Sequence, residues 1–262
     1  MKKLAFMICL SAMLAACQKP CSNQEITSNT AVTKDKFYHY SIWYAFVNRI
    51  FDGELTAERL YQNGDLGLGS FDRLDGELIM LDGKLYRATE DGKVTIAQPK
   101  DKIAYVNATF FEADHTFEVQ ASNYDELRAA INARLPSRNI FYAFKISGEF
   151  DYMKCGGLHK QDKPFDTGLD VLIPNRPIFE RSNFSGTMVG FFSPDFIGDI
   201  NVAGYHLHFV SDDEQFAGHV MDFKASSLQV HVDELYAYEF ELPRQKEYLE
   251  GDFDKRFQYE KK

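Results

Sequence analysis

The sequence predicts an α/β protein of the α+β kind, with two domains, each built on a mixed, mainly antiparallel β-sheet. Three observations carry the prediction. Short alternating apolar and polar runs are separated by the hairpin dipeptides Asp75-Gly76, Asp82-Gly83 and Asp91-Gly92. Aromatic residues make up 15% of the chain, with 23 Phe and 14 Tyr, a composition that suits strands better than coiled coil or disorder. Helical patterning is confined to a few short segments. With 262 residues, 45% hydrophobic and 26% charged, the chain has the composition of a soluble globular protein and the length to bury a full core.

Taken in order, the chain opens with an address. Lys2 and Lys3 precede an apolar run from Leu4 to Leu14 that is too short to span a bilayer, and Leu14-Ala15-Ala16-Cys17 follows. Small residues before a Cys at that point resemble a bacterial lipobox, whose Cys is lipidated and becomes the new N-terminus. A plain secretory signal cut nearby is the alternative, and both export the chain. The expected organisation is a lipoprotein signal peptide over 1–17, a flexible tether over 18–36, an N-terminal domain over 37–160 and a C-terminal metal-binding domain over 161–262. The expected location is the cell envelope, with membrane contact only through a lipid on Cys17. Gln18 is not an Asp retention signal, which favours an outer membrane where one exists.

Beyond the tether, Ile42, Tyr44, Ala45, Phe46, Ile50 and Phe51 supply one apolar face, predicting a helix from about Tyr38. A second helix is expected from Thr56 to Gln62, stopping at Asn63-Gly64. A meander follows, continued by Thr109-Phe110-Phe111 and Phe117-Glu118-Val119. Asn123 and Glu126 have capping-box spacing before Leu127, Ala130, Ile131 and Leu135, so a helix is expected there, closed by Pro136. Strands are then expected at Phe141–Ile146, Thr187–Phe192, Gly204–Val210, His219–Phe223, Leu228–Val232 and Tyr236–Leu242. Asp162 to Pro177 holds three prolines and is expected to be irregular.

A formal net charge of −10, with no Lys/Arg-rich stripe, argues against a nucleic-acid partner, which needs a basic face to displace counterions. Of the 4 cysteines, Cys9 leaves with the signal and Cys17 takes the lipid. Cys21 and Cys155 remain for one disulfide, which the position of Cys21 in the tether disfavours. No Cys-x-x-Cys pair exists, so thiolate metal or redox chemistry is not expected.

The strongest chemical signal is Gly204-Tyr205-His206-Leu207-His208-Phe209. Residues two apart on a strand share a face, so His206 and His208 point one way and Tyr205, Leu207 and Phe209 the other. The polar Ser211-Asp212-Asp213-Glu214 turns the chain, and a return strand through Gly218-His219-Val220 brings His219 across from the pair. Three imidazoles without a fourth protein ligand match a catalytic metal site with an open position. Nitrogen donors alone suit zinc first, with manganese, iron, cobalt or nickel as alternatives. Two solvent-facing histidines on an edge strand would produce the same His-x-His pattern. His206, His208 and Glu214 also echo a cupin-like arrangement, although the spacing to Glu214 is wrong for it. His39, His115, His159 and His231 are scattered. Hydrolase-elbow, P-loop and zincin-helix motifs are absent, and the glycines of Gly64-Asp65-Leu66-Gly67-Leu68-Gly69 read as turn residues.

Several runs together resemble the α-acetolactate decarboxylase family: Gly64 to Phe71, Leu74-Asp75-Gly76-Glu77-Leu78, Leu135-Pro136-Ser137-Arg138-Asn139, Gly204 to Phe209, and Gly218-His219. Order and approximate spacing agree from about residue 40 to near the C-terminus. The resemblance implies that 2-acetolactate, a small molecule, is the substrate and that acetoin and carbon dioxide are the products. It implies zinc on His206, His208 and His219 between the two domains, acting as a Lewis acid that stabilises the enediolate. It also makes Glu77 an active-site carboxylate for proton transfer, Glu260 a weaker match to a second glutamate, Ser70 a hydroxyl beside the metal, and a homodimer the expected assembly. One departure stands out. The flanks Phe141-Tyr142-Ala143 and Lys163-Pro164-Phe165 are intact, but Gly156 stands where the family has an arginine thought to engage the substrate. Either Lys154, two residues earlier on the same face, replaces part of that charge, or the fold and metal serve a different small hydroxy-keto acid.

Overall fold

The chain enters the fold as a strand where the pattern predicts a helix. The computed structural model describes residues 34–253, all within one compact unit. Strand β1 (Lys36–Tyr40) is buried on both faces, so its apolar run satisfies a strand as well as a helix. Of the predicted helical face, Tyr44, Ala45 and Phe46 fall in the short α1 (Trp43–Val47). After β2 (Leu55–Thr56), α2 (Ala57–Leu60) is capped by Thr56, whose Oγ1 accepts from Arg59 N at 3.3 Å. The meander then runs through β3 (Leu66–Phe71), β4 (Glu77–Leu81), β5 (Lys84–Ala88), β6 (Val94–Ile96) and β7 (Lys102–Thr109). Asp82 and Gly83 join β4 to β5 with φ of 50° and 73°, the paired positive values a two-residue hairpin demands.

β8 (His115–Val119) leads to α3 (Tyr124–Asn132). Asn123 caps α3, its Oδ1 accepting from Glu126 N at 3.0 Å, while the Glu126 carboxylate accepts from Ser122 N at 2.8 Å. The helix ends at Asn132, short of Pro136. β9 (Phe141–Gly156) runs 16 residues, far beyond Ile146. Between it and β10 (Ile178–Arg181) the chain is irregular apart from the single turn α4 (Leu169–Leu172). β11 (Phe184–Ser193) and β12 (Gly204–Ser211) follow. The two strands expected from His219 onward are one, β13 (Ala217–Leu235), whose pairing to β9 shifts register after Val220, Lys224 and Ala225. Such bulges let a 19-residue strand bend without breaking. β14 (Ala237–Glu241) and α5 (Lys246–Leu249) complete the described elements.

Eight strands form the first sheet, in the order β14-β1-β7-β3-β4-β5-β6 with β2 on β7; only β1 and β14 pair parallel. The second sheet, β10-β9-β11-β12-β13-β8, also pairs β9 with β13, so β9, β11, β12 and β13 close a circuit. The architecture is therefore mixed and mainly antiparallel, as expected. The change of sheet falls between Thr109 and His115, and β14 returns to the first sheet, so the sheets do not divide the chain at residue 160.

An apolar layer joins the two sheets face to face. Phe37, Leu66, Leu68 and Ile79 of the first meet Val189, Phe191, Val210 and Leu235 of the second. Leu127 and Ile131 of α3 seal the other face of the second sheet.

Candidate metal centre

Strand alternation takes this inter-sheet layer and, at one end, replaces its apolar side chains with polar ones. On β3, Leu66 and Leu68 face the second sheet, and Ser70 continues that face. Glu77 stands in line with Ile79 on β4 and directly across from Ser70. On β12, His206 and His208 are in line with Val210; on β13, His219 is in line with Ala217. Tyr205, Leu207 and Phe209 pack into the core on the opposite side. The five polar residues thus converge because their strands are in register.

His208 and His219 are direct cross-strand partners, and His219 in turn pairs with Gly156 of β9. The three imidazole centroids are 5.0, 5.1 and 5.3 Å apart, and one ligand nitrogen of each lies within 4.8 Å of the others. Gly218 makes the approach possible. Its φ is +149°, and a Cβ there would lie 2.9 Å from the Gly156 carbonyl oxygen.

The chemistry of the donor set fits a metal. His208 is 1% exposed and donates from Nδ1 to the Leu78 carbonyl at 2.9 Å, which fixes the tautomer with a lone pair on Nε2. That Nε2 is buried without a hydrogen-bond partner. Burial pushes His208 down to about 4 and His219 well below its usual range, so both imidazoles are neutral, as metal ligands must be. The three histidines form the one such group of potential ligands among the described residues.

Glu77 lies beside them, 8% exposed, with Oε2 3.5 Å from His208 Nε2. Burial pushes its carboxyl up to about 7, with Arg176 pulling the other way. Between about 4 and about 7 neither partner is charged, so this approach is not an ion pair. Ser70 is buried opposite, its Oγ donating to the Phe71 carbonyl at 3.4 Å. These residues line a cavity of about 810 Å³, walled on the apolar side by Trp43, Phe46 and Leu169.

Other expected residues lie elsewhere. Lys154 is not among the cavity-lining residues; its Nζ is 4.0 Å from Glu180 on the neighbouring β10. Glu260 and the lipobox, with Cys17 and Cys21, fall outside the described residues. Cys155 is a free thiol buried in the core, its pKa raised by burial. Glu214 accepts from Lys84 and Tyr86, apart from the histidine group, which removes the cupin-like ligand set. His39, His115, His159 and His231 bond to Tyr238, Glu234, Glu90 and Thr116 respectively. The cavity residues that carried no signal in the sequence include two arginines: Arg176, in the irregular segment before β10, and Arg128 on α3.

The sequence model of the family described as alpha-acetolactate decarboxylase matches residues 37–255. The chain belongs to the alpha-acetolactate decarboxylase family. Relatives of that name include those of Methanosarcina mazei, 34% identical over 89% of this chain and 80% of theirs, and of Streptococcus thermophilus, 35% identical over 84% and 93%. Among solved structures, alpha-acetolactate decarboxylase from Bacillus subtilis strain 168 superposes with a TM-score of 0.80 at 32% identity, covering 84% of this chain and 94% of that one. A Staphylococcus aureus protein of unknown function, similar to alpha-acetolactate decarboxylase, also has a TM-score of 0.80, at 29% identity over 84% and 95%. Within the alpha-acetolactate decarboxylase family, this chain combines a three-histidine group with glycine at position 156.

Proposed function

We propose that the protein decarboxylates 2-acetolactate to acetoin and carbon dioxide, with a divalent metal, zinc first, held by His206, His208 and His219. The observation that supports this best is the buried Glu77 carboxyl set against the triangle of imidazoles, in a chain of the decarboxylase family. A zinc ion held there supplies a Lewis acid for the charge that builds as carbon dioxide leaves. The chain's own groups do the rest. Loss of carbon dioxide leaves an electron pair on the substrate carbon, and that carbon must take a proton. Glu77, a buried carboxyl beside the histidine group, is the group at hand to deliver it. Ser70, across the strand pair, presents a hydroxyl on the same wall. The apolar wall of Trp43, Phe46 and Leu169 accommodates the substrate's methyl groups and limits water beside the reacting carbon.

The test is release of carbon dioxide and acetoin from racemic 2-acetolactate by zinc-loaded protein, beside His206→Ala. Turnover by the parent that falls at least a hundredfold in the variant, together with its zinc content, is expected. A folded, zinc-bound parent without turnover would sink the proposal.

We also infer an exported, lipid-anchored enzyme, on the strength of Leu14-Ala15-Ala16-Cys17. Labelled palmitate should enter the protein in a bacterial host and be lost in Cys17→Ser; equal labelling of both would exclude the anchor.

A further inference from the structure

Gly156 sits on the inner face of β9, directly paired with His219. Its missing side chain leaves a space that another residue occupies. A Cβ at position 156 would lie 2.7 Å from Arg176 Cδ and 2.9 Å from Met221 Sδ. Arg176 comes from the irregular segment that returns alongside β9, where Gly157 N donates to the Pro177 carbonyl at 3.1 Å and Ile178 pairs with Gly156. Its side chain enters the space by crossing over the glycine. Nε is tied to the Ile173 carbonyl at 3.0 Å, which aims the rest of the guanidinium, and Arg176 pairs with no carboxylate among the described residues.

The charge reaches the site. Arg176 lines the cavity with Glu77 and the three histidines, and it also lines the adjoining smaller cavity with His219. Its field acts on Glu77, His208 and His219 alike. Arg128, the other guanidinium on the cavity wall, is half-exposed, lies 3.5 Å from Asp125 and rests over the Tyr124 ring. A planar guanidinium meets a carboxylate with two parallel hydrogen bonds, which gives an entering carboxylate an orienting partner.

We propose that Arg176 binds the substrate carboxylate, and that Gly156 is the residue that makes room for it. The inference rests on the decarboxylase reading above and adds to it the group that holds the leaving carboxylate. The cation comes from a loop, over a glycine, and not from strand β9. The space at 156 belongs to one side chain or the other.

Two ligands separate the roles in zinc-loaded, full-length protein. 2-Hydroxyisobutyrate carries the carboxylate and hydroxyl but no ketone; acetoin lacks the carboxylate. Arg176→Ala is expected to weaken 2-hydroxyisobutyrate binding by roughly ten- to a hundredfold, measured by calorimetry, while leaving zinc content and acetoin binding unchanged. Arg176→Lys should recover part of the loss, and Gly156→Arg in the Arg176→Ala background should recover more. Gly156→Arg alone should disturb the site, because both side chains then claim one space. Unchanged anion binding in Arg176→Ala, in a parent that turns over 2-acetolactate, would overturn the inference alone. Equal weakening of the anion and of acetoin would overturn it too, by showing a structural role. A zinc-loaded parent that neither binds the anion nor turns over 2-acetolactate would overturn the decarboxylase reading, and this inference with it.

Discussion

At the scale of single residues, burial decides which acids in this protein keep their protons. Glu77 is one case and Asp233, near the opposite end of β13 from His219, is another. Asp233 is 1% exposed; one oxygen accepts from Glu112 N at 3.2 Å and the other has no partner. Burial, then the nearby Asp114, Asp35 and Glu112, push its carboxyl up to about 7. The folded state therefore holds this proton more tightly than the unfolded chain, whose aspartate titrates near 3.8. With the folded value raised, stability is highest below pH 4, falls as pH climbs from about 4 to about 7, and is flat above. Asp233→Asn removes the dependence. The variant should gain on the order of 2 kcal/mol over the parent at pH 8, less than the full linkage value because relaxation and water soften the penalty. Urea unfolding at pH 4 and pH 8 measures it, and an advantage independent of pH would contradict the assignment.

At the scale of elements, legibility tracked how local the deciding interaction is. The Asp82-Gly83 hairpin, the Asn123 cap and the His206–His208 alternation depend on neighbours in sequence, and each stands where the pattern put it. β1 did not, because a run buried on both faces has no period, and its partners are distant in sequence, Tyr38 pairing with Ala108 of β7 and Lys36 with Ala237 of β14. The continuity of β13 was hidden for a related reason: its bulges interrupt the alternation that marks a strand. Arg176 was invisible because nothing in its own segment points to the site; the pairing of Ile178 with Gly156 delivers it there. Gly218, by contrast, carried a readable clue beside His219, and its geometry makes a sharp prediction. In Gly218→Ala the new methyl meets the Gly156 carbonyl at 2.9 Å and Cys155 Cβ at 3.1 Å, at a φ that disfavours any side chain. The edge of β13 must shift away from β9. A stability loss of about 1–3 kcal/mol is expected, with zinc affinity weakened because His219 moves with the strand. Thermal unfolding and zinc competition read the two effects, and tight zinc binding in a destabilised variant would show that the ligand does not depend on the strand edge.

At the scale of the whole molecule, the question is whether two sheets mean two folding units. The connectivity argues against it. The first sheet cannot be completed without β14, which follows every strand of the second, and the layer between them is shared by Phe37, Leu68, Ile79, Phe191, Val210 and Leu235. Phe191 sits in that layer, 1% exposed, with its ring centroid 4.8 Å from that of Phe37. Removing either sheet would expose the inner face of the other, so neither has a core of its own on that side. The site repeats the arrangement: all three histidines belong to the second sheet, but the carbonyl that fixes His208 and the carboxyl of Glu77 belong to the first. Unfolding should accordingly be a single cooperative transition. Phe191→Ala, costing about 3–5 kcal/mol, should lower its midpoint without splitting it. Zinc at a hundred times its dissociation constant should raise the same transition by about 2.7 kcal/mol, because a ligand set oriented from both sheets stabilises them together. Two calorimetric peaks, of which zinc moves one, would show instead that the histidine sheet folds and binds alone, and the interface would then be an assembly of finished parts.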